Sequence, residues 1–179
     1  MKRRLLVTTA LLAAAGALAT VGIASAHLLD SADLSNADPT AGGKCSSFNA
    51  SAPGAWGGEP WNAVVTAFPG DTDPAGYCTL TRPDGDFARH IEMRVLDGIA
   101  DDSFSVYVKN PGGGWAPVYS YSADPSTAEV WVTHHIYSFP AGKGQGTDVQ
   151  IKIEPTNVGW SGFSTWGQLA VDYIELSSH

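Results

Sequence analysis

Aromatic side chains crowd into one short loop near the end of the chain. The segment WSGFSTWGQ separates Trp160, Phe163 and Trp166 only by small or polar residues, and Trp115 directly follows a run of three glycines. Flat aromatic faces stack on the C–H patches of sugar rings, and an exposed apolar patch often marks a binding site. We therefore predict that Trp115, Trp160, Phe163 and Trp166 form a ligand platform. The alternative is that about half of the tryptophans cap the ends of a core.

Asp172 interrupts an otherwise apolar run, LAVDYIEL. Under a strict two-residue alternation it shares a face with Ala170, Ile174 and Leu176, which directs a carboxylate toward apolar surroundings. Such a group needs hydrogen-bond donors, a cation or an altered pKa, because burying an unpaired charge is costly. A cation is one interpretation; backbone N–H groups or solvent at a sheet edge are the other.

Asp101 and Asp102 close the short connection DGIADD, which contains three carboxylates. Several hard oxygen ligands on one loop suit Ca²⁺. Asp and Gly are also the usual turn formers, so an ordinary turn is the alternative. The predicted metal ligands are therefore Asp172, Asp101 and Asp102, with Ca²⁺ as a structural ion.

Residues 1–26 have the layout of a secretory signal peptide. Three basic residues precede an apolar run that ends in a small-residue cleavage site, Ala24-Ser25-Ala26. We expect a secreted or cell-surface protein with no membrane insertion after signal removal; an uncleaved transmembrane anchor is the alternative. Loss of the three basic residues changes the formal net charge from −8 to −11. That acidity argues against a nucleic-acid partner or an anionic membrane surface.

Cleavage after the signal would make His27 the amino terminus. An amino-terminal histidine can chelate copper through its amine and its ring, which resembles the lytic polysaccharide monooxygenases and implies a copper enzyme. A second histidine for that site cannot be assigned. His134 and His135 are adjacent on a predicted strand and point to opposite faces, so they cannot share a metal as a pair. His-Glu-x-x-His, Gly-x-Ser-x-Gly and phosphate-loop motifs are missing from the sequence. We predict a protein that is not an enzyme.

Cys45 and Cys78 are the only cysteines, and a lone pair in an exported chain is expected to form one disulfide. Residues 27–44 are poor in large apolar side chains and are predicted to be a flexible N-terminal extension. Residues 45–179 then form a single domain. A composition of 44% hydrophobic and 16% charged residues excludes a disordered chain.

A two-residue hydrophobic period dominates the chain from residue 87 onward. Each period predicts a strand with one face in a core and one face in water. The clearest runs centre on 91–95, 104–108, 130–136 and 149–153, and the last run, 169–176, is apolar on both faces. Repeated short strands separated by turns predict an all-β sandwich or barrel.

Two stretches resemble the galactose-binding-like jelly-roll family, which includes many carbohydrate-binding modules. They are LDGIADDSFSVYV, residues 96–108, and WSGFSTWGQLAVDYIEL, residues 160–176. The family's closing strand has the form V-D-Y/W-I-x-L, matched here by Val171–Leu176. The resemblance covers mainly residues 87–176. It implies a jelly-roll β-sandwich of antiparallel strands and a structural Ca²⁺ held in part by Asp172.

The sequence therefore predicts a secreted, non-catalytic binding module for carbohydrate or another cell-surface ligand. A structural or assembly protein of the cell envelope is the first alternative, and a copper-dependent polysaccharide monooxygenase-like enzyme using His27 is the second. Oligomeric state does not follow from the sequence.

Overall fold

The computed structural model describes residues 27–34, 38–50, 63–67, 75–83, 87–97, 103–122, 130–137, 147–156 and 167–178. These residues form eleven strands: β1 (Leu28–Asp33), β2 (Cys45–Ser46), β3 (Asn49–Ala50), β4 (Ala63–Ala67), β5 (Gly76–Thr81), β6 (His90–Asp97), β7 (Phe104–Lys109), β8 (Trp115–Tyr121), β9 (Val130–Tyr137), β10 (Asp148–Pro155) and β11 (Gly167–Ser177). This part of the chain contains no helix with the length and apolar character needed to span a membrane.

The strands pair antiparallel in two sheets. One sheet has the order β3-β4-β11-β6-β9 with β1 beside β11, and the other has the order β2-β5-β10-β7-β8. The eight strands β4 to β11 thus divide into β4-β11-β6-β9 and β5-β10-β7-β8, which is the arrangement of two Greek keys in a jelly roll. The predicted jelly-roll β-sandwich is confirmed.

One apolar core lies between the sheets and follows the predicted alternations. The inward residues of β6, β7 and β10 are almost completely shielded from solvent: Ile91, Met93, Val95, Phe104, Val106, Val108, Val149, Ile151 and Ile153. Their neighbours in sequence face outward, so each of these three strands also contributes to the outer surface of its sheet. Packing of the inward residues in the core therefore determines which residues of these strands face outward and can form a binding surface.

Strand β11 departs from strict alternation at Asp172. Its pairing with β6 shifts register between Val171 and Tyr173, so that an extra residue is accommodated in a β-bulge. Val171 before the bulge and Ile174 after it both reach the core. The expectation that Asp172 shares a face with Ile174 and Leu176 is therefore wrong, because the bulge changes the phase of the strand.

The described residues before 45, which are 27–34 and 38–44, do not all fit the expected flexible extension. Residues Leu28–Asp33 form β1, which pairs with the second half of β11, and Leu34 donates its backbone N–H to the carbonyl of Asp172 at 2.8 Å. Ala32 and Leu34 are buried in the core. The segment has few large apolar residues, which is why its sequence looked like a tail, yet Leu34 lies in the core and Leu29 packs against it.

The predicted disulfide between Cys45 and Cys78 is present, and both cysteines are buried. The two residues face each other across β2 and β5. The bond fastens the short strand β2 to the five-stranded sheet.

Leu34→Ala should lower the free energy of unfolding by about 2–5 kcal/mol, because it removes a fully buried side chain and leaves a cavity. Leu28→Ala is the matched control, since Leu28 lies on the same segment and is 54% exposed; it should change stability by less than about 0.5 kcal/mol. Urea unfolding followed by tryptophan fluorescence measures both. Equal, negligible effects would mean that this segment does not belong to the folded unit.

Candidate functional site

Trp115 stands on the outer surface of the five-stranded sheet, at the start of β8. It follows a tight turn in which the N–H of Asn110 donates to the carbonyl of Gly114 at 2.8 Å. Gly113 has φ of 103°, in the left-handed region that favours glycine. The turn thus ends β7 and delivers Trp115 to the sheet, where the side chain is half-buried.

Two further aromatic residues, Tyr77 on β5 and Tyr107 on β7, point to the same side of the sheet as Trp115. The Tyr77 and Trp115 ring centroids are 5.8 Å apart, although their strands are separated by β10 and β7. The indole therefore lies across the sheet and not upright from it. We call the set Tyr77, Tyr107, Lys109, Trp115 and Lys152 the Trp115 face.

Two lysines are set among these rings. The ammonium of Lys152 lies 4.4 Å from the Tyr107 ring centroid and 6.0 Å from that of Trp115, and Lys109 lies 5.8 Å from Trp115. Lys152 also pairs with Glu154 at 2.9 Å. The Trp115 face, together with the neighbouring Glu154, thus combines flat apolar rings with donors and an acceptor, which is the composition of a small-molecule recognition surface.

Of the predicted ligand platform, the structure places Trp115. Trp160, Phe163 and Trp166 lie outside the described residues, so their participation stays a prediction. Tyr77 and Tyr107 were missed by the sequence analysis. Each follows a strand alternation as an outward aromatic, which was the available signal; what the sequence does not contain is the strand order that brings them beside Trp115.

Asp172 has a cationic partner on the outer surface of the six-stranded sheet, on the other side of the sandwich from Trp115. The carboxylate of Asp172 accepts a hydrogen bond from Nη1 of Arg94 at 2.6 Å, with side-chain exposures of 10% and 31% respectively. The guanidinium of Arg94 also lies 5.1 Å from the ring centroid of Trp131, which packs on Leu96 and Ala170. An ion pair therefore stabilises the buried carboxylate that the sequence singled out.

The calcium site stays a prediction. Asp101 and Asp102 lie outside the described residues, and Asp172 is held by Arg94. A guanidinium and a Ca²⁺ ion would compete for the same carboxylate oxygens, so the ion pair with Arg94 disfavours Asp172 as a calcium ligand.

A second polar group occupies the outer surface of the six-stranded sheet, where the ligand atoms of His90, Glu92 and His135 all lie within 4.8 Å of one another. Nε2 of His90 is 3.2 Å from Nδ1 of His135, and that same Nδ1 is 3.3 Å from Oε2 of Glu92. We call these three residues the His90 cluster. Glu92 and His135 are directly paired across β6 and β9, and His90 is two residues before Glu92 on β6.

Residues of β11 contact the other side of this cluster. Oγ of Ser177 is 3.0 Å from Nδ1 of His90, and the hydroxyl of Tyr173 donates to Oε1 of Glu92 at 2.8 Å. Burial and the neighbouring His135 lower the pKa of His90, despite the opposing effect of Glu92. His90 is therefore favoured as a neutral imidazole, in which one ring nitrogen carries a hydrogen and the other carries a lone pair.

Tyr137 covers the cluster on its solvent side. Its ring is stacked on that of His90, with centroids 4.6 Å apart and planes inclined by 10°, and it is also nearly parallel to His135. Tyr137 is itself 64% exposed. Stacking against Tyr137 restricts rotation of the His90 ring, while the cluster stays accessible to solvent.

His134 points to the opposite side of β9 from His135, as predicted. It is buried, its Nδ1 is 3.0 Å from the hydroxyl of Tyr119, and it packs edge-on against Phe104. His27 is exposed and its carbonyl accepts a hydrogen bond from the N–H of Ser178. Its ring does not join the His90 cluster, and the copper site stays an untested alternative.

The sequence matches no protein-family model and no curated protein. Among solved structures, a cleaved adhesin domain of Lys-gingipain from Porphyromonas gingivalis is 15% identical with a TM-score of 0.46, covering 72% of this chain and 80% of that one. A carbohydrate-binding module of lichenase 5A from Cellvibrio mixtus, in complex with cellotriose, is 13% identical with a TM-score of 0.40, covering 86% and 99%. A family 29 carbohydrate-binding module is 12% identical with a TM-score of 0.39, covering 74% and 75%.

The jelly-roll fold that the sequence resemblance implied is confirmed. The strand pairing of this chain is itself that of a jelly roll. What each neighbour binds is a property of that neighbour, and the sites of this chain are assigned from its own geometry.

The Arg94–Asp172 pair should show a coupling energy of about 1–2 kcal/mol in a double-mutant cycle built from Arg94→Met and Asp172→Asn, because a short charge-assisted hydrogen bond forms where water has little access. The Lys44–Asp30 pair is the comparison, since Lys44 is 40% exposed and its coupling should stay below about 1 kcal/mol. Urea unfolding provides the four free energies for each pair. A coupling no larger than that of Lys44 and Asp30 would contradict this role for Arg94.

Proposed function

We propose that this protein is a secreted, non-catalytic module that binds carbohydrate on the Trp115 face. The observation that carries the proposal is the convergence of three rings from three different strands, Tyr77, Tyr107 and Trp115, around two lysine ammonium groups. Aromatic faces offer a surface for sugar C–H groups, while charged and polar side chains offer hydrogen bonds to hydroxyls.

The register of the sheet gives this face the shape of a row. Tyr77 pairs with Lys152, Lys152 with Tyr107, and Tyr107 with Pro117, across four neighbouring strands. Adjacent strands are about 4.8 Å apart, so the row extends roughly 14 Å. The Tyr77 and Trp115 rings converge to 5.8 Å over these positions, so the aromatic part of the row is shorter than its backbone span.

Rigidity favours binding at this surface. The rings belong to hydrogen-bonded strands whose alternate residues are locked in the core, so little backbone freedom is lost when a ligand is bound. A surface built in this way can act without a nucleophile or an acid–base pair. The proposal of a binding module, and not of an enzyme, rests on this composition.

Export is supported by the disulfide and by the predicted signal peptide. The Cys45–Cys78 bond is of the kind that persists in oxidising compartments. A secreted location would bring the Trp115 face into contact with extracellular or cell-surface polysaccharides.

Trp115→Ala should weaken polysaccharide binding by about tenfold or more, since a stacked aromatic ring contributes on the order of 1.5 kcal/mol and 1.4 kcal/mol corresponds to a factor of ten. Binding is first located with a glycan array that includes neutral and acidic polysaccharides and is then measured by affinity electrophoresis and calorimetry. Tyr137→Ala is the matched control, because Tyr137 is an exposed aromatic residue on the other sheet. The Tyr137→Ala variant should bind the polysaccharide with the same affinity as the unmodified protein.

A blank glycan array, together with tryptophan fluorescence that no polysaccharide changes, would overturn the carbohydrate proposal. Equal losses in Trp115→Ala and Tyr137→Ala would place the ligand elsewhere. A blank array with a partner protein retained by the Trp115 face would instead favour an assembly role in the cell envelope.

A further inference from the structure

The outer surface of the six-stranded sheet carries a group that carbohydrate binding at the Trp115 face does not use. We propose that His90, Glu92 and His135 bind a zinc ion, through Nε2 of His90, Nδ1 of His135 and a carboxylate oxygen of Glu92. This site lies on the opposite face of the sandwich from Trp115 and is independent of the proposed function.

The spacing from His135 to each of the other two ligand atoms fits zinc, and all three atoms lie within 4.8 Å of one another. With bonds of about 2.0–2.1 Å in a tetrahedron, two ligand atoms of one zinc ion are roughly 3.3 Å apart. The two distances that involve Nδ1 of His135 are 3.2 Å to His90 and 3.3 Å to Glu92. Two imidazoles and one carboxylate are also a ligand set that zinc uses in proteins, with a fourth position left for water or another ligand.

Protons alone satisfy this arrangement poorly. Nδ1 of His135 lies between Nε2 of His90 and Oε2 of Glu92, and it can carry a single hydrogen. If Nδ1 of His135 carries a hydrogen that points at Glu92, it cannot also donate that hydrogen to the lone pair on Nε2 of His90. If Nδ1 of His135 carries no hydrogen, its lone pair faces the negatively charged carboxylate of Glu92. A cation at the centre is attracted by all three lone pairs at once.

The groups around the cluster orient its ligands as outer partners do in metal sites. Ser177 contacts Nδ1 of His90, which leaves Nε2 directed toward His135, and the Tyr173 hydroxyl holds one oxygen of Glu92 and leaves the other toward His135. Such partners orient the ring or the carboxylate of a ligand before the ion arrives. The strands β6, β9 and β11 hold all five residues in adjacent positions.

Access is retained on one side. The side chain of His135 is about half exposed, whereas His90 is buried against Tyr137. An ion can therefore enter from solvent, and its fourth position faces solvent or a ligand presented there. A first-row ion is favoured over Ca²⁺, because imidazole nitrogen suits zinc and Ca²⁺ prefers oxygen ligands.

Calorimetric titration of the metal-stripped protein with Zn²⁺ tests the proposal. We expect one equivalent of Zn²⁺ to bind, and an excess of Ca²⁺ to leave that binding unchanged. Substituting Co²⁺ should give the visible absorption of a tetrahedral complex, and X-ray absorption of the zinc form should show nitrogen and oxygen ligands at about 2.0–2.1 Å.

His135→Ala should weaken Zn²⁺ binding by at least about 100-fold, because it removes a ligand from an exposed position where folding is least affected. Tyr173→Phe keeps the ring and removes only the hydroxyl that orients Glu92, so it should weaken binding by about 10-fold, within the range for outer partners. Asp148→Asn and His27→Ala are the controls, since Asp148 is exposed on the other sheet and neither residue belongs to the cluster. Both should bind Zn²⁺ within about threefold of the unmodified protein.

Failure of the unmodified protein to bind Zn²⁺ would overturn the proposal. So would binding that survives His135→Ala, or binding that is lost in His27→Ala, which would assign the ion to the amino terminus. Polysaccharide binding that persists when zinc binding is lost, or the reverse, distinguishes this site from the Trp115 face.

Discussion

The central strand β11 imposes the constraint on which the rest of the structure depends. One of its edges pairs along β6, while the other pairs first with β4 and then with β1. Its side chains must nevertheless fill the core on both sides of that change of partner. The β-bulge at Asp172 reconciles these demands, since one extra residue restores the inward phase of Ile174 and Leu176; without it, the two-residue period would turn those side chains to solvent.

The same bulge organises the outer surface of the six-stranded sheet. It leaves Asp172 beside Arg94, and it directs Tyr173 and Ser177 toward the residues of β6 that they contact, Glu92 and His90. The ion pair and the His90 cluster thus share one strand irregularity, although they lie several residues apart. A change in the phase of β11 would disturb the core, the ion pair and the cluster together.

The sequence contained the strands and their faces but not their lateral contacts. Alternation predicted β6, β7, β9 and β10, and the closing strand indicated a jelly roll, because both signals are local. The bulge at Asp172 is a single-residue insertion that no alternation reveals, and β1 relies on Ala32 and Leu34, too few apolar residues to stand out. The alternation of β6 puts His90 and Glu92 on one outward face, but His135, which is 45 positions away from His90, joins them only through strand register.

Electrostatics give a physical reason for a cation on this face in an already acidic protein. Glu92 and Glu175 are directly paired across β6 and β11, and like charges in that position are destabilising. Burial and the charge of Glu92 both raise the pKa of Glu175. The charged form of Glu175 is therefore disfavoured beside Glu92. The Tyr173 hydroxyl offsets part of this destabilisation by donating to Glu92, and a divalent ion on the other oxygen would offset more. The lysines of the Trp115 face lie on the opposite sheet, and Arg94 pairs with Asp172, so a cation bound by the His90 cluster would act directly on this pair of carboxylates.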